Sequence, residues 1–291
     1  MKRWFLTTAC LLAGLAVSVP VLPVTAQAPA NTDMKTEHVI EKIGSVAIDW
    51  SEGVVRVTGT GTPPDRGNLN QKRLMAERTA TADAYRQLAE AIHGIRVNSE
   101  TIVRDYVSES DTIKTYVNAL IKGAQRLDTR YLDDGTIEID MVIKLYSNTG
   151  LSGVLQPQKH VVPPPPVTLE AHTDNTDFTG IIVDCRGLGL EPAMSPAIVS
   201  QAGGEVYLGN IEFQKDMMST VINEGIVGYA HSLQQARQNR RVGSKPLIVK
   251  GLSAAGNFRT DVVVSEVDTK QLLGIDQQHK LLSTARVIFV L

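Results

Sequence analysis

The stretch from Gln71 to Gly94, QKRLMAERTATADAYRQLAEAIHG, constrains the fold more than any other part of the chain. Leu74, Thr81, Tyr85, Leu88 and Ile92 recur at helical spacing, with Ala84 and Ala89 on the shoulders of the stripe and Asp83, Arg86, Gln87 and Glu90 pointing away. The pattern predicts an amphipathic helix of about six turns. The small residues beside its seam allow a sheet or a second helix to approach closely. Gly94 stands where a left-handed residue ends a helix. No side chain on this helix is placed for chemistry, so it is a packing element.

The first residues assign a compartment. Lys2 and Arg3 precede an apolar run from Trp4 to Val19, then Pro20 and Pro23, and Val24-Thr25-Ala26 leads into Gln27. A basic start, a short apolar core and a small-residue exit make residues 1–26 a secretory signal peptide, with Ala28 and Ala30 as later cleavage points. No other stretch approaches the ~20 consecutive apolar residues of a membrane-spanning helix, so the mature chain is expected to be without a transmembrane span, with peripheral membrane association as the remaining option. Cys10 lies ahead of most of the apolar core, and Thr7-Thr8-Ala9 lacks the Leu that precedes a lipidated cysteine. Cys185 is then the one cysteine of the mature chain, which leaves no intramolecular disulfide. Losing Lys2 and Arg3 with the leader moves the formal net charge from −2 to −4. Such a mild acidity offers no footprint for nucleic acid.

Along the rest of the chain, residues 27–43 read as polar and disordered. Residues 44–150 read as a first α+β module. Two strands flank a Ser51-Glu52-Gly53 turn, and Thr58 to Pro64 ends the second of them. After the long helix, Ile95 to Val107 reads as a strand. Ser108 to Asp111 starts a helix carrying Ile113, Tyr116, Val117 and Leu120, and Gly123 stops it. A hairpin then turns at Asp133-Asp134-Gly135, with Ile137, Ile139, Met141, Ile143 and Leu145 alternating along its second arm. Residues 151–177, with prolines at every position from Pro163 to Pro166, read as an extended linker. Residues 178–291 read as a second module. Its expected elements are strands at Phe178–Leu188, Pro246–Gly251, Phe258–Val264 and Thr284–Leu291, a hairpin turning at Gly203-Gly204, and a helix capped by Ser265 and Asp268. The fold class is α+β: two modules, each a mostly antiparallel sheet with packed helices, joined by a Pro-rich linker.

Several features of the first module carry a resemblance. They are Gly59-x-Gly61-x-Pro63-Pro64, then Ala80-x-x-x-Ala84-x-x-x-Leu88-x-x-x-Ile92-x-Gly94, Ser99-x-Thr101-x-Val103-x-Asp105, Gly123-Ala124, and Tyr131-x-x-Asp134-Gly135 before the alternating strand. Over roughly 44–155 the chain resembles the Lpp-twenty family of bacterial envelope lipoproteins, whose relatives include the flagellar outer-membrane proteins FlgP and FlgT. The resemblance implies a small α+β envelope module used in surface or basal-structure assembly, and it carries over no site residue. Family members are often lipidated at the end of the signal, where this chain has no cysteine.

Candidate chemistry is sparse. Asp184-Cys185-Arg186 draws attention as a nucleophile with charged neighbours, yet alternation places Cys185 with Ile181 and Val183 on a buried face. Asp184 and Arg186 then share the other face at ion-pair distance. His38, His93, His160, His172, His231 and His279 are scattered, with no pair at metal-ligand spacing. Ser195 lies outside any nucleophile elbow, and Asp133-Asp134 lacks the further oxygens of a calcium loop. No catalytic, cofactor-binding or metal residue is assigned. The sequence reads as a non-enzymatic exported cell-envelope protein of the periplasm or outer-membrane periphery of a Gram-negative-type bacterium. Its expected role is structural or in assembly, in a flagellar or other outer-membrane-associated setting, with envelope proteins or a second copy as partners. The alternative is a periplasmic small-ligand or carbohydrate-binding protein using the Gly187–Pro196 loop, and a hydrolase built on Asp184 comes third.

Overall fold

The computed structural model describes residues 37–155, 177–208 and 217–291. The expected signal peptide (residues 1–26), the Pro163–Pro166 run, His160 and His172 lie outside the described residues, as does most of the expected linker.

The first module is a five-stranded antiparallel sheet. Strands β1 (Ile40–Ile43), β2 (Val46–Asp49), β3 (Val54–Gly61), β4 (Gln125–Tyr131) and β5 (Ile137–Lys144) lie in the order β1-β2-β3-β5-β4. Three helices accompany it: α1 (Leu69–Gly94), α2 (Val103–Glu109) and α3 (Asp111–Lys122). Helix α1 starts at a capping box, in which Asn68 Oδ1 accepts the Gln71 backbone N–H at 2.9 Å and Gln71 Oε1 accepts the Asn68 N–H at 3.0 Å. Alternation along β3 and β5 turns Val55, Val57, Gly59 and Gly61, with Ile137, Ile139, Met141 and Ile143, toward α1.

The buried seam of α1 differs from the expected stripe. Ala76, Ala80, Ala84, Leu88 and Ile92 are buried, while Leu74 is half exposed. Two glycines of β3 set the rotation. A Cβ on Gly59 would stand 2.2 Å from Ala80 O, and one on Gly61 would stand 2.0 Å from Ala76 O. Only an alanine seam against bare backbone permits that approach. Gln87, expected on the wet face, is buried because its amide donates to Thr58 O at 3.1 Å and Asp83 Oδ2 at 2.7 Å and accepts from Ser45 Oγ at 2.6 Å. Gly94 is the last helical residue, and the extended Ile95 ends the helix in place of a left-handed glycine.

Further differences have local causes. The strand expected over Ile95–Val107 is broken by Asn98, whose Oδ1 accepts the N–H groups of Glu100 and Thr101 at 2.9 Å each. That turn reverses the chain, and α2 follows, with Asp105 Oδ2 taking the Ile102 N–H at 2.8 Å. Within the Ser108–Asp111 stretch expected to start a helix, Ser110 caps α3, while Ser108 and Glu109 close α2. Strand β1 falls inside the segment read as disordered. Leu151–Gly153, read as the start of the linker, is a 3₁₀ turn anchored by Ser152, whose Oγ donates to Ile222 O at 2.6 Å.

The second module keeps the α+β class but differs in strand direction. It contains β6 (Gly180–Asp184), β7 (Ile198–Ser200), β8 (Glu205–Tyr207), β9 (Gly228–Ala230), β10 (Pro246–Lys250), β11 (Ser253–Ala255), β12 (Asp261–Val264) and β13 (Val287–Val290). Helices α4 (Met218–Glu224), α5 (Leu233–Gln238) and α6 (Glu266–His279) complete it. Strands β10-β6-β13-β9 form an all-parallel sheet. Strands β11-β12-β7-β8 form a second sheet, parallel only between β12 and β7. Both faces of the parallel sheet are covered. Ile181, Val183, Val287 and Phe289 face the main core, and Ile182, Ile288 and Val290 pack with Ala236 and Val242 around α5. Doubly covered strands need continuous apolar runs, which Ile181-Ile182-Val183 and Val287-Ile288-Phe289-Val290 supply.

Residues Thr36–Leu291 form one unit, because the main core runs through both modules. Trp50 meets Tyr229 edge-on at 6.0 Å, and Tyr229 meets Phe289 at 6.3 Å. The Tyr229 hydroxyl donates to Ala193 O at 2.7 Å and accepts the Ala193 N–H at 2.9 Å. Met194 N and Ser195 N donate to Arg96 O at 3.0 Å and Val97 O at 2.7 Å. Arg96 reaches Glu41 Oε2 at 2.6 Å and Pro192 O at 2.9 Å. The Tyr146 ring lies between two left-handed glycines, Gly53 of the first module and Gly225 of the second.

Replacing Gly59 or Gly61 by Ala should lower stability by about 1–3 kcal/mol, because backbone carbonyls of α1 cannot move aside as a side chain would. Gly274→Ala in α6, where an added Cβ meets nothing within 4 Å, should instead raise it by about 0.5–1 kcal/mol. Urea midpoints of the three variants check the contrast.

Candidate functional site

The outer face of the first sheet is the face that α1 leaves uncovered. It carries Val54, Arg56, Thr58 and Thr60 of β3 opposite Lys144, Val142, Asp140 and Glu138 of β5. Toward one end these side chains close on themselves. Arg130 of β4 pairs with Asp140 and, at 2.9 Å, with Glu138, while Thr58 Oγ1 donates to Asp140 Oδ1 at 2.7 Å. The Arg130 guanidinium, helped by Thr58, holds the Asp140 carboxyl below the usual carboxylate range against the opposing effect of burial.

Toward the other end the face opens into a concavity of about 790 Å³, lined by Val54, Tyr116, Leu120, Leu127, Val142 and Lys144. Its rim carries Arg56, paired with Glu52 at 2.9 Å. Leu127 owes its position to a bulge. The β4–β5 register shifts between Arg126 and Asp128, leaving Leu127 without a partner on β5 and 57% exposed. A bulge on an edge strand re-aims a side chain, and here it turns a leucine outward beside an apolar floor. Tyr116 is fixed from below, its hydroxyl donating to Gly150 O at 3.1 Å and Asn148 O at 3.2 Å.

The residues singled out in the sequence lie elsewhere. Cys185 is buried at the end of β6, and desolvation pushes its thiol well above the ordinary range. Asp184 is gripped through both oxygens by Arg186, at 2.8 Å each, and that guanidinium lowers its pKa. Ser195 is buried with its backbone bonded to Val97; Pro192 and Met194 bond to Arg96, and Ala193 bonds to the Tyr229 hydroxyl. Of the Gly187–Pro196 loop, Met194 and Ser195 line a small cavity of about 20 Å³ with Tyr146, Met218 and Ile226. Asp134 Oδ1 accepts the Thr136 N–H at 2.8 Å, as a turn residue does. His93 is bonded to Ala89 O at 2.7 Å, His231 stands 3.6 Å from Glu37, and His279 ends α6. The sequence scan missed one grouping: His38 Nδ1 lies 2.6 Å from Asp49 Oδ2 and 3.9 Å from Glu52 Oε1. Strand pairing assembles these residues, and no single-segment spacing announces it.

Residues 180–291 match a protein family described as the second domain of Treponema pallidum Tp0624. The matched range begins two residues after Phe178, where the second module was expected to start. A comparison of the chain with curated proteins finds no match. Among the described residues no helix is long and apolar enough to cross a membrane.

Two outcomes follow from these environments. Cys185 should resist iodoacetamide at pH 8 in the folded protein and react fully in denaturant, as read by intact mass. Asp140 has a depressed folded-state pKa, so its contribution to stability is complete above the unfolded value near 3.8 and is lost as pH falls through the folded value. Asp140→Asn should lower stability at pH 7 and flatten the decline of stability below about pH 4, measured as urea midpoint against pH.

Proposed function

We propose that this chain is a non-enzymatic, exported cell-envelope protein with a structural or assembly role, acting through protein–protein contacts in a flagellar or other outer-membrane-associated setting. The outward Leu127 beside an apolar concavity carries the reading. An edge strand normally shields its apolar groups, and this one presents a leucine over Val54, Leu120 and Val142. The 1–26 leader supports export to the periplasm or outer-membrane periphery, and the first module's resemblance to Lpp-twenty envelope proteins supports a place in assembly. The commitment of Asp184 to Arg186 and the burial of Cys185 weigh against the residues that a hydrolase would have used.

The size of the concavity favours one second reading, a small-ligand or carbohydrate site, since such sites occupy roughly 300–1,000 Å³. A photo-crosslinking residue at position 127, activated in intact cells, separates the two. The assembly reading expects a discrete adduct with one envelope protein or a second copy, absent when the probe sits at position 279. It also expects that adding Val142→Glu to the probe-bearing chain removes the adduct while the chain keeps a cooperative folded-state melting transition. Absence of any adduct, together with a melting-temperature rise in millimolar wall sugars, would replace assembly with ligand binding.

A further inference from the structure

The cluster of His38, Asp49 and Glu52 follows from strand pairing. Ile40 of β1 lies opposite Asp49 of β2. The ladder continues past the strand ends, with Trp50 N donating to Val39 O at 2.9 Å and Val39 N donating to Ser51 Oγ at 3.0 Å. His38 is thereby carried to the side of the turn that holds Asp49 and Glu52. One ligand atom from each of the three residues lies within 4.8 Å of the other two.

The remaining oxygens have other partners. Asp49 Oδ1 accepts the backbone N–H groups of Ser51 and Glu52, both at 3.0 Å, which leaves Oδ2 facing His38. Glu52 Oε2 accepts from Arg56 at 2.9 Å, which leaves Oε1 facing the same imidazole. Each carboxylate is thus oriented from behind by a hydrogen bond, with its other oxygen directed inward, as outer partners orient the ligands of a metal site. Two carboxylates against the Arg56 charge leave the cluster net negative when His38 is neutral.

We propose that His38 Nδ1, Asp49 Oδ2 and Glu52 Oε1 bind one divalent cation of the zinc type, with water completing the shell. Zinc takes imidazole nitrogen and carboxylate oxygen at about 2.0–2.2 Å, so neighbouring ligand atoms of a tetrahedral site stand about 3.3 Å apart. The 2.6 Å and 3.9 Å separations bracket that value, and Asp49 Oδ2 and Glu52 Oε1 lie within 4.8 Å of each other. The imidazole and the small ligand number fit calcium and magnesium less well, which prefer six or more oxygens. The role is structural. Ser51, inside the same turn, donates to Tyr229 O at 3.2 Å, and Trp50 packs on Tyr229. An ion here clamps the start of β1 to the turn that docks on the second module.

Calorimetric titration of Zn²⁺ into the exported protein, purified without a histidine tag and stripped with chelator, tests the site. The expected result is one ion per chain and a melting temperature that rises with Zn²⁺. His38→Ala should weaken binding about 100-fold or more and remove the rise, while His279→Ala, in α6, should change neither. Glu52→Gln keeps the buried Asp49 turn intact and should still weaken binding about 10-fold or more, which guards against a His38 variant that fails to fold. Co²⁺ in place of Zn²⁺ should give visible d–d bands without a thiolate charge-transfer band. Absence of binding by the folded protein at millimolar Zn²⁺, or an affinity unchanged in His38→Ala or Glu52→Gln, would overturn the proposal.

Discussion

The approach of α1 to the two glycines of β3 is the contact on which the rest of the structure depends. Ala76, Ala80 and Ala84 repeat every fourth residue, and Gly59 and Gly61 lie on the same face of the strand. With no Cβ between them, helix and sheet backbones come into direct contact, and the longer side chains at Leu88 and Ile92 fill the wider end. One rotation of the helix satisfies this fit. It buries Gln87, which then needs Thr58 O, Asp83 and Ser45 as partners, and it leaves Leu74 at the surface. A helix held this tightly to one face leaves the other face of the sheet uncovered by it.

The second module completes the first. Its loops give their backbone groups to Arg96, Val97 and Ser99, and Tyr229 carries the core from Trp50 to Phe289. Arg241 strengthens this region from within. Its buried guanidinium donates to Glu224 O at 2.5 Å, Gly225 O at 3.1 Å, Ile226 O at 3.3 Å and Ala285 O at 2.9 Å. It thereby satisfies carbonyls at the C-terminal end of α4 and ties that end to Ala285, two residues before β13. Desolvation pulls its pKa down, and the concentrated carbonyl dipoles offset part of that cost. The second module thus acts as a brace, and the open surface with an apolar floor belongs to the first.

Much of this architecture was legible in the residues. The Asp133-Asp134-Gly135 turn, the alternating arm from Ile137, the Ser110 and Ser265 caps and the long helix are set by local chemistry, and local chemistry is what a sequence displays. Helical periodicity placed α1 but gave its rotation to the largest apolar side chains, whereas close packing on Gly59 and Gly61 gave it to alanines. The apolar runs of β6 and β13 read as strands, but their parallel pairing depends on helix α5 covering a second face. Asn98 hid a turn inside an apparently alternating stretch. The bulge at Leu127 and the grouping of His38 with Asp49 and Glu52 depend on register between neighbouring strands, β4 with β5 and β1 with β2, which side-chain pattern alone does not fix.

The described residues of both modules fold as one unit, with the second module bracing a first module whose outer face is left open. Differential scanning calorimetry of the protein is the decisive measurement. One heat-absorption peak, with calorimetric and van't Hoff enthalpies in agreement, is the predicted result for modules that share a core and the Trp50–Tyr229–Phe289 stack. Two resolved transitions would mean that the modules fold independently, and would contradict the bracing role assigned to the second.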